Sequence, residues 1–257
     1  MTFGIAGLAF LFLLTAGLYA SVGFGGGSTY IALLALADVD YRILPIIALL
    51  CNIIVVMGGT LRFQVRGLID WQRIWPILLL SVPAAWIGGR VALDQYIFLI
   101  LLGLSLTAAG LLLLVEPFFR NRYASFGQKR SQHIWFAPAV GGAIGFLSGM
   151  VGIGGGIFLA PLLFLTKWSD SRRIAATASI FILVNSASGL AGQLMKSQWE
   201  QGSTAILSYW PLFIAVLIGG QVGSFLVSKG LPEHWIQRLT AILILYVAMR
   251  VLWQQLG

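Results

Sequence analysis

The chain is short of charge. Of its 257 residues only 9% are Asp, Glu, Lys or Arg, where soluble domains carry about 25%. Cysteine occurs once, at Cys51, and histidine twice, at His133 and His234. One cysteine excludes an intrachain disulfide and any multi-cysteine metal site. The acidic residues are Asp38, Asp40, Asp70, Asp94, Glu116, Asp170, Glu200 and Glu233. Each falls at or beyond the end of an apolar run, and no Lys or Arg stands in the middle of one. Proton relays and buried cation sites normally show a carboxylate or histidine within the membrane. None is expected here, nor any metal or cofactor. An intramembrane enzyme would need a positioned base beside a nucleophile, and neither histidine lies inside an apolar run. The start, Met1-Thr2-Phe3-Gly4, lacks the basic region of a cleaved signal peptide, so none is expected.

What is present is apolar sequence. Hydrophobic residues make up 59% of the chain, and the mean hydropathy is +0.93. Long apolar runs cover residues 3–22, 42–63, 71–92, 95–115, 135–150, 172–194, 204–227 and 232–253. Runs of roughly 20 such residues span a bilayer, so the fold class is an all-α polytopic membrane protein. The lipid bilayer is then an obligatory partner. The net charge of +8 belongs to cytoplasmic loops and implies no nucleic acid. Trp71, Trp75, Trp135, Trp168, Trp199, Trp210, Trp235 and Trp253 lie near run ends and read as an interfacial belt.

Two glycine-rich breaks interrupt this pattern. One reads Val22-Gly23-Phe24-Gly25-Gly26-Gly27, the other Val151-Gly152-Ile153-Gly154-Gly155-Gly156. A short apolar piece follows each, at 28–37 and 157–166. Ten helical residues cover about 15 Å, half a bilayer. The halves agree elsewhere too: Trp75-Pro76 with Trp210-Pro211, Ile87-Gly88-Gly89 with Ile218-Gly219-Gly220, and Gln64 with Gln193. The chain reads as two repeats, 1–119 and 134–257, joined by a basic cytoplasmic linker, 120–133.

Loop charge decides the orientation of the repeats. Eight full spans would make them parallel and leave cations almost evenly divided between the two sides. Alternatively, each glycine break is the tip of a re-entrant hairpin. Each repeat then has three full crossings, and the second is inverted. Only Arg42, Arg90, Lys196 and Arg250 fall outside in that arrangement, with every other Lys and Arg inside, as the positive-inside rule requires. The expected fold is therefore two inverted repeats, each a glycine-broken hairpin plus three transmembrane helices.

The breaks are the expected site. A short helix starting after three glycines aims free N–H groups and a positive dipole end at the break, which suits an anion. The candidate binding residues are Gly25, Gly26, Gly27, Ser28 and Thr29 in the first break, and Gly154, Gly155, Gly156 and Ile157 in the second. Asn52 and Asn185, each central in its run, are candidate donors, equally suited to hydrogen-bonding between helices. Ser21, Cys51, Gln64, Ser148 and Gln193 stand behind them as gating or supporting positions. Cys51 reads mainly as a small buried filler, and Gln64 and Gln193 as solvated helix ends.

The two motifs, Val22–Ser28 and Gly152-Ile153-Gly154-Gly155-Gly156-Ile157-Phe158-Leu159-Ala160-Pro161-Leu162, resemble those of the TauE/SafE (sulfite exporter, TSUP) family of membrane permeases. The first departs from the second in having no proline where the second has Pro161. The resemblance covers essentially the whole chain. It implies a secondary transporter of the bacterial inner membrane, moving a small sulfur-containing anion such as sulfite, thiosulfate or an organosulfonate. The residues themselves imply only a small anionic substrate, and they leave open an anion channel with the same filter.

Overall fold

The computed structural model describes residues 4–123, 136–166, 168–196, 206–226 and 233–256. Those residues form ten helices and no strand. In chain order they are α1 (Ile5–Val22), α2 (Gly27–Leu36), α3 (Leu44–Val65), α4 (Trp71–Arg90), α5 (Gln95–Tyr123), α6 (Phe136–Val151), α7 (Gly156–Leu165), α8 (Ser171–Leu194), α9 (Trp210–Leu226) and α10 (Glu233–Leu256). Among the described residues three stretches are long and apolar enough to cross a membrane: Leu44–Val65, Gln95–Val115 and Arg172–Leu194. Residues 124–133 of the expected linker, with Lys167, Glu200 and Lys229, lie outside the described residues.

Helix starts follow the acidic residues. Asp70 accepts the Arg73 N–H and so caps α4. Asp170 accepts the Arg173 N–H and caps α8, and Asp94 accepts from Ile97 at the start of α5. A carboxylate there fills an orphan donor and faces the positive helix end. One boundary differs from expectation. Helix α5 does not close at Glu116-Pro117 but runs on to Tyr123. Pro117 removes only one donor from a helix already 22 residues long by that point, and Phe118 to Tyr123 continue it.

Helix directions follow from the contacts. Helices α3 and α8 cross antiparallel, with Thr60 bonded to Ser179 at one end and Leu49 against Gly189 at the other. Helices α4 and α8 run parallel. Asn185 donates to Ser81, and Ser188 to the Val82 carbonyl. Helix α6 lies parallel to α4 at very short range. Gly141, Gly145 and Gly149 face the backbone of Ile77, Ser81 and Ala85 in turn. Helices α1 and α9 repeat this, with Gly219 on Leu13 and Gly223 on Gly17. Small residues let helix backbones approach where lipid offers no competing hydrophobic drive.

The contacts obey an exchange rule. Helix α1 packs on α9 as α6 packs on α4, and α2 on α10 as α7 on α5. Helices α3 and α8 pair with each other, as do α5 and α10. The two glycine breaks are thereby carried to the middle, beside α3 and α8.

Candidate functional site

Each break is built from left-handed glycines. Gly23 (φ 86°) ends α1, and Gly26 (φ 85°) caps α2. In the second break Gly152, Gly154 and Gly155 have φ of 89°, 83° and 75°, and Gly155 caps α7. Side chains rarely adopt this backbone region, which is why glycine stands there. The carbonyl of Gly26 takes the N–H groups of Thr29 and Tyr30, and that of Gly155 takes those of Phe158 and Leu159. The N–H groups of Gly27 and Ser28, and of Gly156 and Ile157, are left as the free first-turn donors of the two short helices.

Asn52 joins the breaks. It lies on α3, fully buried, and its Nδ2 donates to the carbonyl of Ile153 at 3.2 Å. A Cβ added to Gly25 would lie 2.5 Å from Asn52 Oδ1, and one on Gly154 would lie 2.5 Å from Nδ2. A Cβ on Gly27 would lie 2.5 Å from the Ile153 carbonyl and would also strike the Asn52 amide. The first residue of α2 therefore touches the second break directly. Gly25, Gly27 and Gly154 are glycine for lack of room. Gly156 faces Ile182, and Gly155 faces Phe181, Ile144 and Ser148.

Other expected residues divide into two groups. Ser28 and Thr29 are buried at the start of α2, and Thr29 Oγ1 pairs with the Tyr19 hydroxyl at 2.8 Å. Ser148 is buried beside Gly155, its hydroxyl unpaired. Ile157 is half-buried in the first turn of α7. Asn185 is fully buried but is not among the close neighbours of either break. Its Nδ2 donates to Ser81 and to the Phe181 carbonyl, so it links α8 to α4. Gln193 donates to the last carbonyls of α6, at Gly149 and Met150. Gln64 accepts from Trp71 Nε1 near the surface, Ser21 bonds back to Leu18, and Cys51 is buried filler.

Two residues gain a place they did not have. The Ser186 hydroxyl lies 3.1 Å from the Cβ position of Gly154, and the Tyr30 hydroxyl 3.1 Å from that of Gly26. Both are buried and unpaired. Tyr30 stands one turn after Gly26, and a helical side chain leans toward the N-terminus, so its position was available from spacing. Among the described residues no group of His, Cys, Asp and Glu could hold a metal. A separate cavity of about 390 Å³ lies at the far ends of α2, α5 and α10, lined by Asp38, Asp40, Arg42, Gln95, Gln254 and Gln255 among others. No break residue lines it.

The family model described as "Sulfite exporter TauE/SafE" matches residues 8–251. The chain belongs to the TauE/SafE family. A Sinorhizobium fredii protein described as "Probable membrane transporter protein y4hK" is 31% identical over 247 residues, covering 96% of this chain and 98% of its own. A Xylella fastidiosa "Probable membrane transporter protein" is 24% identical over 197 residues, 74% of this chain and 71% of its own. One from Methanocaldococcus jannaschii, "Probable membrane transporter protein MJ0441", is 30% identical over 103 residues, 38% of each chain. No solved structure matches the chain. A TauE/SafE chain with apolar helices of spanning length is a membrane protein, and the family is one of membrane transporters.

Proposed function

We propose that the chain is a multi-pass secondary transporter of the bacterial inner membrane. Its cargo is a small sulfur-containing anion, such as sulfite, thiosulfate or an organosulfonate, carried outward as an exporter or permease. The observation that carries this reading is the meeting of the two breaks on Asn52. Two helix N-termini, each with about half a positive charge, converge on one buried point. The substrate binds there against Gly25, Gly26, Gly27, Ser28, Thr29, Asn52, Gly154, Gly155, Gly156 and Ile157. Asn185 stands behind them, tied to α4.

Inverted repeats are part of the proposal, and three observations support them. The equivalent helices α3 and α8 run antiparallel. Arg73, in the first turn of α4, donates to the Trp168 carbonyl at 3.0 Å, which brings the α3–α4 and α7–α8 turns to one face. Asp38, Gln95 and Gln254 line one cavity, which brings the α2–α3 turn, the α5 start and the α10 end to the other. Eight alternating spans would separate both sets. The repeats, 1–119 and 134–257 about the basic linker, then rock against each other around the fixed site. The inside-negative potential drives an anion outward, by about 2.3 kcal/mol per charge for each 100 mV.

Burial of Asn52, Ser148 and Ser186 fits a carrier in an occluded state better than an open channel. Vesicles reconstituted with the protein test this. Sulfite or thiosulfate moves down an imposed gradient and saturates with concentration. No flux of either anion, with or without a pH gradient, contradicts the assignment, and unitary single-channel currents would make the protein a channel.

A further inference from the structure

We propose that the site selects an oxyanion carrying a hydrogen of its own, which it donates to Asn52 Oδ1. This rests on the anion site above and narrows its ligand. The orientation of the Asn52 amide is set by its partner. The Ile153 carbonyl can only accept, so Nδ2 faces it. Oδ1 is then turned toward Gly25, where an added Cβ would lie 2.5 Å from it, whereas a Cβ on Gly27 would meet Nδ2 first and Oδ1 at 2.9 Å. The side chain is fully buried, and Oδ1 accepts no hydrogen bond.

The first-turn N–H groups at the junction are donors, and the unpaired hydroxyls of Ser186, Ser148 and Tyr30 can become donors. A hydroxyl rotates to suit its ligand, whereas an amide oxygen has no hydrogen to offer. A fully deprotonated oxyanion satisfies the N–H groups but sets lone pair against lone pair at Oδ1. An anion bearing one hydrogen satisfies both. Sites with a fixed hydrogen-bonding requirement reject ligands that lack the matching group far more strongly than apolar pockets reject a change of size. A bound cation would also satisfy Oδ1, but it would sit against two positive helix ends. The hydrogen therefore belongs to the anion.

A pH response follows without any titrating side chain. The titratable groups on the surrounding elements, apart from arginines, are Cys51 on α3, Tyr30 on α2 and Tyr19 on α1, with no carboxylate or histidine among them. The cations of α3, α4 and α8, namely Arg62, Arg73, Arg90, Arg172 and Arg173, stand in their terminal turns. Ligand protonation alone sets the dependence, and each anion moved carries one proton with it.

The test is thermal stabilisation of the purified full chain by sulfite, phosphate, sulfate and methanesulfonate. It is run on both sides of the hydrogensulfite–sulfite transition, in sodium and in N-methylglucamine buffers. Apparent sulfite affinity is expected to fall by about tenfold or more as hydrogensulfite is lost. Sulfate and methanesulfonate, with no hydrogen on oxygen, bind about tenfold more weakly than phosphate at every pH. In Asn52→Val, checked for folding by circular dichroism, the preference for phosphate over sulfate falls toward parity. Equal binding of all four anions, a flat sulfite profile, or a requirement for sodium overturns this proposal and leaves the anion site standing. Stabilisation by none of them overturns both.

Discussion

At the scale of the residue, the breaks are glycine for two separable reasons. Gly26 and Gly155 are left-handed, while Gly25 and Gly27 are crowded by Asn52. Gly27→Ala would drive a methyl group into the Asn52 amide and the Ile153 carbonyl. It is expected to abolish oxyanion stabilisation in a melting assay. Gly59→Ala is the matched control, because its nearest neighbour is Ser179 Oγ at 3.8 Å; it leaves ligand stabilisation unchanged, and full binding by Gly27→Ala would contradict the crowding described. A second residue-scale prediction concerns Lys196, just beyond α8. Burial pulls its ammonium down from 10.5 to about 8. The unfolded chain then binds more protons than the folded one between those values, so stability rises with pH across that window. Relative to Lys196→Gln, the wild type should gain in Tm as pH rises from about 8 to about 10. Parallel curves would show that the burial has no such effect. The glycines were legible in the sequence because three in a row inside an apolar run have no ordinary use. Asn52 and Asn185 were not distinguishable there: both are amides in mid-helix, and only packing shows that one spans the breaks while the other bonds to Ser81. Gln193 looked solvated, yet it serves the last carbonyls of α6, a role decided by a neighbour 43 residues away.

At the scale of the element, helix limits could be read within a few residues wherever Asp, Gly or a basic pair punctuates the apolar runs. Partner choice could not be read from hydropathy, because every long helix is apolar and lipid does not rank neighbours. One signal was open to reading: Gly141, Gly145 and Gly149 recur every four residues, the spacing of a close helix contact. A Cβ at Gly145 or Gly149 would collide with the α4 backbone at the Ser81 and Ala85 carbonyls. Gly149→Ala should lower stability by about 1–3 kcal/mol as an overpacked core does. Gly223→Ala, facing Gly17 in the equivalent pair, should cost a similar amount. Unchanged melting for both would refute the close α4–α6 and α1–α9 packing.

At the scale of the whole molecule, the exchange of partners between halves makes the site a shared product. Asn52 and the Ile153 carbonyl come from opposite halves of the sequence, so in the proposed rocking mechanism the site would change as a unit. The proposed orientation places Arg42 and Gln254 on one side of the membrane and Arg73 and Arg173 on the other. Single cysteines at those positions in a Cys51→Ala background, labelled from outside with an impermeant thiol reagent, should react at the first pair only; labelling of Arg42 and Gln254 variants from opposite sides would contradict it. The most direct measurement is a structure of the protein with selenite, a sulfite analogue whose selenium is located by anomalous scattering. A selenium peak between the two breaks, with selenite oxygens within hydrogen-bonding reach of the Gly27 N–H and Asn52 Oδ1, is the predicted result. A fully occupied peak in the cavity of Asp38, Arg42 and Gln254, with none between the breaks, would contradict it.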